Sequence, residues 1–392
     1  MKSIIFGSVL SVKIVVAVDS YKGSADAYDI AEYIEKGILK TAPDTEVIKL
    51  PIADGGEGTV AILNKTIGGQ LRRKVVTGPS CRPVEGVYAI LPDGTAVIEI
   101  ASASGLMHVS PDRLNPLTAT SYGTGELIRH AINDGCRNFL IGVGGSATND
   151  GGAGLVQALG VSLLDCDGNE LESGGGALNK LVHIDTKRMD SRIKDCRFII
   201  ASDISNPLCG STGASYVFGP QKGATQKMVE ILDGNLSHYI NVVENFLHKE
   251  IRNVPGAGAG GGTSASLIGF CDAVIESGID TILNAIGFES HINDADLVVT
   301  GEGQMDLQSL AGKAPIGVAK RVKAYKDIPV VAIVGSVAAN IVIETLYNNG
   351  IDSLVSAVNR VMPLSEAMEK SGELVTNAAE QMMNLIKIGM RI

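Results

Sequence analysis

The chain reads ADLVVTGEGQMDLQSLAGKAP from Ala295 to Pro315. The apolar and β-branched residues at the start of this stretch are typical of a buried strand. The strand is followed at once by a loop that combines glycine with carboxylates and a lysine. Glycine lets backbone N–H groups approach an anion, Glu302 and Asp306 offer oxygen ligands to a divalent cation, and Lys313 offers positive charge to a phosphate. The stretch therefore predicts a buried strand of an α/β fold and a loop suited to phosphoryl transfer.

Similar apolar runs recur along the chain, and each is followed by a helical pattern. We predict strands near residues 13–18, 46–50, 138–143, 295–300, 329–334 and 352–357. This alternation is typical of α/β folds with parallel strands. The helix after the first strand is predicted to have Ser24 or Asp26 as its N-cap and to bury one face. The residues of that face are Ala27, Ile30, Ala31, Ile34 and Ile38.

A different pattern between residues 71 and 100 indicates a second architecture. Short alternating runs lie at 73–76, 86–91 and 95–100, and Pro-Asp-Gly joins the last two. Such runs predict an antiparallel hairpin.

The length of the chain, 392 residues, exceeds what one hydrophobic core usually serves, so we predict two domains. The parallel-strand pattern resumes after residue 290. We therefore predict one parallel-sheet domain built from both chain ends, residues 13–70 plus 285–392. The inserted second α/β domain comprises residues 71–284.

The composition argues against several classes of protein. A formal net charge of −10, without any run of Lys or Arg, argues against a nucleic-acid partner. No stretch approaches the ~18 apolar residues of a membrane span, so no membrane partner is expected. The first twelve residues imitate a signal peptide, but Lys13 interrupts the apolar run and no small-residue cleavage site precedes a mature start. We therefore expect a cytoplasmic protein.

The six cysteines are scattered, with no C-x-x-C pair and no histidine partners at metal-ligand spacing. We interpret them as reduced thiols that pack as small apolar side chains. No zinc site is predicted.

The familiar kinase motifs are absent. A Walker A loop would place Lys and then Ser or Thr after glycine, whereas Lys313 stands at the wrong spacing and is followed by Ala314. The H-R-D and D-F-G triplets of protein kinases do not occur. A kinase with this sequence must assemble its phosphate site from other loops.

Several loops at predicted strand ends combine glycine with an acid, a hydroxyl or a lysine. Simple turns do not require charged or hydroxyl side chains beside glycine, so we predict that most of these loops border one site. The loops are Asp19–Ser24, Asp54–Gly58, Gly144–Gly152, Ser202–Leu208, Phe218–Gly223 and Gly301–Gly303.

One motif supports a different function. The string Gly142-Val-Gly-Gly-Ser-Ala147 follows a predicted strand and matches G-x-G-x-x-A, and Asp165 lies near the position of a ribose-binding acid. This pattern alone favours a dinucleotide-binding oxidoreductase. No recognisable hydride-transfer residues accompany it.

Taken in order, these strings resemble the glycerate kinase family of the bacterial glycerate 2-kinase type. The resemblance runs from Lys13 to near the C-terminus, and so many long motifs are highly specific. The motifs are Asp19–Ser24, Ala53–Thr59, Arg113–Pro116, Thr120–Glu126, Gly144–Gly152, Asn206–Leu208, Phe218–Gly223, Pro255–Gly262 and Thr300–Pro315.

The resemblance implies ATP-dependent, Mg²⁺-assisted phosphorylation of D-glycerate, with 2-phosphoglycerate as the product. It also implies a flavodoxin-like α/β domain combined with a second α/β domain. We expect the active site in the cleft between the two domains.

Phosphoryl transfer needs positioning and charge neutralisation, so residue roles follow from charge type and loop position. We predict Lys22, Asp203 and Asp306 as catalytic residues. Asp54 and Glu302 are the predicted metal ligands. The predicted substrate- and phosphate-binding residues are Asp19, Ser20, Gly23, Gly55, Gly56, Gly144, Gly145, Ser146, Asn206, Lys222, Gly301, Gly303 and Lys313.

The identity of the general base stays open at this point. Asp203 or Asp306 is the first choice, and Asp19 and Asp150 are alternatives that equally suit a helix or turn cap. The glycines and Ser146 of the 144–152 loop are expected around phosphate at a helix N-terminus.

The sequence departs from the family pattern at a few positions. Gln304 stands where the family usually has Arg after Gly-Glu-Gly, and Ser309 stands where Thr is usual. A guanidinium stabilises the charge of a transferring phosphoryl group, so Gln304 supports an alternative hypothesis. In that hypothesis the chain is a kinase-like, ligand-binding relative with reduced activity.

Overall fold

The structure is a computed structural model that describes residues 12–53, 55–56, 58–310 and 312–389, apart from the side chain of residue 308. The chain forms two compact units. One unit comprises Met1–Asp54 and Ile282–Ile392, and the other comprises Gly55–Thr281. Residues 55–70, which the sequence assigned to the first domain, thus lie in the second unit. This segment is attached to the second unit because the backbone N–H of Val60 donates to the Glu99 carboxylate (2.7 Å) there.

The strands and helices alternate along the chain. The strands are β1 (Lys13–Val18), β2 (Glu46–Lys49), β3 (Gln70–Thr77), β4 (Pro83–Ile90), β5 (Thr95–Glu99), β6 (Asn138–Gly142), β7 (Ser162–Leu164), β8 (His183–Asp185), β9 (Arg197–Ala201), β10 (Val274–Glu276), β11 (Leu297–Gly301), β12 (Gln304–Met305), β13 (Val330–Val334), β14 (Ser336–Val337) and β15 (Ser353–Ser356). The helices are α1 (Ala27–Thr41), α2 (Thr59–Ile67), α3 (Ala101–Ser104), α4 (Tyr122–Asn133), α5 (Ala153–Ala158), α6 (Ala214–Phe218), α7 (Gln226–Leu247), α8 (Thr263–Cys271), α9 (Gly278–Ala285), α10 (Phe288–Ile292), α11 (Leu307–Leu310), α12 (Ala314–Tyr325), α13 (Ile343–Tyr347), α14 (Leu364–Glu369) and α15 (Ser371–Gly389).

The unit formed by both chain ends contains a five-stranded sheet in the order β2-β1-β11-β13-β15. All four strand pairs are parallel. Counted in chain order this is 2-1-3-4-5, the order of flavodoxin-like doubly wound sheets. The α/β fold class and the flavodoxin-like order expected from the resemblance are confirmed.

Helix α1 follows the sequence prediction closely. The Asp26 side chain accepts the backbone N–H of Asp29 (2.8 Å) and caps the first turn. All five residues predicted for the apolar face are buried. Four of them, Ile30, Ala31, Ile34 and Ile38, pack in the core of this unit with apolar residues of β1, β11, β13 and α15.

The other unit contains a six-stranded mixed sheet in the order β10-β9-β6-β5-β4-β3. Strands β5, β6, β9 and β10 are parallel, whereas β3, β4 and β5 pair antiparallel as the predicted hairpin. The rings of Phe139 and Phe198 stack beside each other on neighbouring strands, with centroids 4.6 Å apart. The hairpin and the parallel strands therefore share one sheet and one core.

All six cysteines are free thiols. Among the described residues, no helix is both long enough and apolar enough to cross a membrane.

Candidate functional site

The predicted residues of the first unit meet at one point of its sheet. The strand order reverses between β1 and β11, and ligands of open α/β sheets bind outside the carboxyl ends of the strands at such a switch point. Val18 and Gly301 are register partners at these ends, and the backbone N–H of Asp19 donates to the Gly301 carbonyl (3.0 Å). The next residues on each side are the predicted site residues of the two loops. They are Asp19, Ser20, Lys22 and Gly23 after β1, and Glu302 and Gly303 after β11.

Close backbone packing explains two of the glycines in these loops. A Cβ atom on Gly301 would lie 1.8 Å from the carbonyl oxygen of Ile333, and one on Gly303 would lie 3.2 Å from the Cα of Tyr21. The backbone N–H groups of Gly335 and Ser336 also donate to the carbonyls of residues 302 and 303 (both 3.1 Å). The glycines thus allow three strand ends to come together, which holds the Glu302 carboxylate next to the Asp19 loop.

Tyr21 is a residue of this region that the sequence reasoning did not select. Its side chain is buried, and its hydroxyl donates to the Ile333 carbonyl (2.8 Å). Burial raises the pKa of the phenol far above its usual value, and the negative charge of Glu302 adds to this effect. Tyr21 therefore connects the loop after β1 to strand β13 through this hydrogen bond. The sequence did carry a signal for Tyr21, because an aromatic side chain inside a loop of glycine, lysine and serine is unusual.

The remaining predicted residues of this unit lie around helices α11 and α12. The Ser309 hydroxyl accepts the backbone N–H of Asp306 (2.9 Å), and the Asp306 carboxylate accepts the backbone N–H of Ser309 (3.1 Å). This reciprocal pair caps the first turn of α11, so the Ser309 hydroxyl does what a threonine hydroxyl would do there. Lys313 occupies the N-cap position of α12. The exposed Gln304 side chain lies 3.4 Å from the Ser336 hydroxyl.

A magnesium ion is compatible with this end of the sheet. Over the described residues, no group of three or more His, Cys, Asp or Glu side chains is arranged for a metal ion. Mg²⁺ is usually held by one or two carboxylates together with substrate phosphates and water. Glu302 and Asp19 supply such oxygen donors at neighbouring strand ends. The other predicted ligand, Asp54, lies outside the described residues.

A second group of predicted residues lies at the carboxyl ends of β6 and β9 in the other unit. Gly55 has a φ of +84°, and a Cβ atom there would lie 2.8 Å from the Cβ of Ala201. A Cβ atom on Gly142 would lie 2.5 Å from the carbonyl oxygen of Gly55. Glycine at both positions therefore lets the segment that contains Gly55 and Gly56 run directly over these strand ends.

Asp203 and Asn206 belong to the loop after β9. One oxygen of the Asp203 carboxylate accepts the backbone N–H of Gly278 (2.9 Å) at the start of α9. The Asn206 side-chain amide donates to the Thr212 carbonyl (2.8 Å), and the backbone carbonyl of Asn206 accepts the backbone N–H of Gly258 (3.1 Å). These bonds hold the loop against the glycine-rich segment that precedes α8.

The loop after β6 has two exposed glycines followed by a buried serine. Gly144 and Gly145 are exposed, whereas Ser146 is buried. The Lys222 ammonium donates to the Ser146 hydroxyl (2.9 Å) and to the Thr148 carbonyl (2.6 Å). Lys222 is only 2% exposed, and burial lowers its pKa to about 7, while the charge of Asp150 acts in the opposite direction. Lys222 therefore supports the loop from inside the unit, unlike the exposed Lys22.

The N-terminus of the helix after this loop, where the sequence predicts phosphate, is capped by a carboxylate of the protein. Helix α5 begins at Ala153, and the Asp150 carboxylate accepts the backbone N–H groups of Gly152 (3.1 Å) and Gly154 (3.3 Å) there. The same carboxylate accepts the backbone N–H and the hydroxyl of Ser121 (both 2.8 Å), just before α4. The place of an anion at α5 is thus taken by the protein itself, and Asp150 and Ser121 join the starts of two helices.

The dinucleotide interpretation of Gly142–Ala147 is wrong. The fingerprint requires a helix that starts at the glycines and a following parallel strand in the same sheet. Here α5 starts only at Ala153, and the next strand, β7, pairs antiparallel with β8 in a separate two-stranded sheet. Asp165 lies in an exposed turn, where it accepts the backbone N–H groups of Asp167 and Asn169 (both 2.9 Å).

The fold and these loops define the class of the protein. It is a doubly wound α/β protein with acids, hydroxyls and lysines in glycine-containing loops at the carboxyl ends of its parallel strands. The model of the glycerate kinase family matches residues 14–387, and the chain belongs to that family.

Relatives in the same family match over nearly the whole chain. A glycerate kinase of Bacillus subtilis (strain 168) is 47% identical over 96% of this chain and 98% of its own length. A glycerate 2-kinase of Escherichia coli (strain K12) is 47% identical over 97% of this chain and 99% of its own length. A solved structure described as glycerate kinase 2 of Salmonella typhimurium LT2 is 43% identical, with a TM-score of 0.85 over 97% of this chain and 100% of that chain. These comparisons confirm the family resemblance read from the sequence.

Proposed function

We propose that the protein transfers the γ-phosphoryl group of ATP to D-glycerate and that the product is 2-phosphoglycerate. The observation that carries the proposal is the meeting of the Asp19–Gly23 loop with Gly301, Glu302 and Gly303 at the switch point of a flavodoxin-like sheet, in a chain of the glycerate kinase family. The full-length relatives named glycerate kinase support the same activity. The predicted cleft between two domains stays a prediction.

The proposed roles follow the charges and positions of the side chains. Lys22 is exposed beside the switch point, and it and Lys313 are suited to neutralise the charge on phosphate oxygens or the glycerate carboxylate. The backbone of Gly301 and Gly303 allows an anion to approach closely. Glu302 and Asp54 are the proposed Mg²⁺ ligands, and a bound Mg²⁺ supplies charge neutralisation at the phosphates.

The general base is proposed to be Asp203 or Asp306. The Asp306 carboxylate is oriented by the Ser309 backbone at the start of α11, and the Asp203 carboxylate is oriented by Gly278 at the start of α9. A fixed carboxylate at a strand end is suited to accept the hydroxyl proton of glycerate. Asp150 is a poorer choice, because four hydrogen bonds hold it inside the unit.

A coupled assay of ADP release with Mg-ATP and D-glycerate tests the activity, and phosphorus NMR of the product identifies the phosphorylated carbon. We expect turnover that requires both Mg²⁺ and D-glycerate, with the phosphate on carbon 2. L-Glycerate serves as the matched control substrate. Folded protein that releases no ADP would contradict the proposal, and phosphate on carbon 3 would contradict the product.

The alternative proposal, a ligand-binding relative with reduced activity, rests on Gln304. This side chain is exposed at the edge of β12 and carries no charge where the family usually has Arg. The substitution Gln304→Arg separates the two proposals. A rise in kcat of more than about tenfold, equivalent to about 1.4 kcal/mol, favours the alternative, whereas an unchanged or lower kcat favours the full kinase.

We further propose that the protein acts in the cytoplasm. The scattered free cysteines are typical of a reducing compartment. Fractionation of the source cells with a soluble cytoplasmic marker would test this location.

A further inference from the structure

Lys222 is a buried lysine whose hydrogen bonds go to neutral groups. It ends the 3-10 turn Pro220–Lys222, and its ammonium bonds to the Ser146 hydroxyl (2.9 Å) and the Thr148 carbonyl (2.6 Å). Lysine is rarely this buried without a partner of opposite charge in contact. Burying a charged lysine in this way costs free energy, which indicates that Lys222 has a role in the loop that it contacts.

These bonds fix the direction of the Ser146 hydroxyl hydrogen. An ammonium group has three donors and no acceptor, so the Ser146 oxygen can only accept from Lys222. Among the residues that the structure describes, Ser146 donates this hydrogen to no protein acceptor. Gly144 and Gly145, directly before it, are exposed. The O–H of Ser146 is therefore available to an anion at this loop.

We propose that Lys222 is a positioning residue that makes Ser146 a hydrogen-bond donor to the bound anion. This inference rests on the proposed function and on the sequence prediction that Ser146 is one of the substrate- and phosphate-binding residues. When Lys222 loses one proton to solvent, its nitrogen gains a lone pair. The neutral amine accepts the Ser146 O–H and still donates to the Thr148 carbonyl. The hydroxyl then turns inward, and the anion loses one donor.

The surroundings of Lys222 allow this change near neutral pH. Burial lowers its pKa to about 7, so a change from pH 6 to pH 8.5 removes most of the charge. Asp150, on the same loop as Ser146, is the acid that faces the ammonium and acts to keep it charged. Helix α6, which precedes the turn, has no charged side chain, and its one phenol, Tyr216, is exposed.

Titration calorimetry at pH 6 and pH 8.5 tests the proposal with sulfate and, separately, D-glycerate. These probes are chosen because neither changes its charge in this range. For wild-type protein we expect the affinity for at least one probe to fall about tenfold, the effect of losing one hydrogen bond to a charged group. Nitrogen-15 NMR of the lysine Nζ groups should show one lysine that titrates near pH 7 and is missing in Lys222→Met.

Variants separate positioning from a purely structural role. Ser146→Ala should bind weakly at both pH values, and the double variant Ser146→Ala/Lys222→Met should be no weaker than Ser146→Ala alone. Lys227→Met, which removes an exposed lysine at the start of α7, should behave as wild type. Thermal melts of every variant verify that it is folded.

Two results would overturn the inference. One is a wild-type affinity for both probes that does not change with pH, and the other is a Ser146→Ala variant that keeps the wild-type pH dependence. The proposed function fails separately. Sulfate binding with the expected pH pattern, but no ADP release with D-glycerate, would refute the kinase activity and leave the role of Lys222 intact.

Discussion

Asp150 is expected to be among the most important polar residues for the stability of the Gly55–Thr281 unit. Its side chain is fully buried and accepts four hydrogen bonds, two from Ser121 and one each from the backbone N–H groups of Gly152 and Gly154. Asp150→Ala removes all four hydrogen bonds at once. A buried donor without a partner costs about 1–3 kcal/mol, and part of this cost is recovered by local relaxation. We expect Asp150→Ala to lower the free energy of unfolding by about 3–5 kcal/mol.

The size of the loss can be measured by differential scanning calorimetry. For a unit of this size, each kcal/mol corresponds to about 2–4 °C, so Asp150→Ala should lower the Tm of this unit by about 6–20 °C. Asp150→Asn keeps one oxygen as an acceptor and should lose about 1–2 kcal/mol.

Asp165→Ala is the matched control for this experiment. The Asp165 carboxylate also accepts two backbone N–H groups, but it is exposed, and water replaces it there. We expect the Tm of this variant to stay close to that of the wild type. Equal losses for Asp150→Ala and Asp165→Ala would refute the argument that burial makes the Asp150 hydrogen bonds costly to remove.

Three further substitutions follow from the same physical reasoning. Tyr21→Phe leaves the buried Ile333 carbonyl without its side-chain donor and should cost about 1–2 kcal/mol in urea unfolding; an unchanged midpoint would contradict this. Gly301→Ala places a Cβ atom 1.8 Å from the same carbonyl oxygen, so the variant should lack a native circular dichroism spectrum, and a wild-type melt would show the reasoning to be wrong. Burial lowers the pKa of Lys222 to about 7 in the folded state, whereas the pKa of an exposed lysine is about 10.5, so the unfolded chain binds more protons between these values and this contribution to stability rises with pH. The Tm of wild type relative to Lys222→Met should therefore increase from pH 7 to pH 10, and a constant difference would exclude the buried charge as its cause.

The loops after β1 and β11 were readable from the sequence because each follows an apolar run that becomes a buried strand. Asp19 and Glu302 lie far apart in the chain, and parallel pairing of β1 with β11 brings them together. The sequence also pointed to Lys222, but it gave no sign that the ammonium is directed inward to Ser146. The contrast with the exposed Lys22 depends on contacts from segments distant in the chain.

Two sequence interpretations failed for the same reason. The glycines of Gly142–Ala147 fit a dinucleotide fingerprint locally, but the fingerprint also needs a helix and a parallel strand in fixed places. In the folded protein, α5 begins only at Ala153, and β7 lies outside the six-stranded sheet. The prediction of a boundary at residue 70 did not account for the packing of Gly55 on Ala201, because these residues are far apart in sequence.

The sequence by itself determined the family, the α/β class and the positions of β1, β2, β6, β11, β13, β15 and the antiparallel hairpin, because alternating apolar runs and long motifs are local properties of the chain. Strands β9 and β10 of the six-stranded sheet were not predicted. It also determined which loops carry charge. Only the tertiary structure decided the strand order, the capping role of Asp150, the support of the loop by Lys222 and the position of Tyr21 beneath the switch point. These features depend on which distant segments become neighbours, and the free energy of burying their side chains together cannot be read from any one segment.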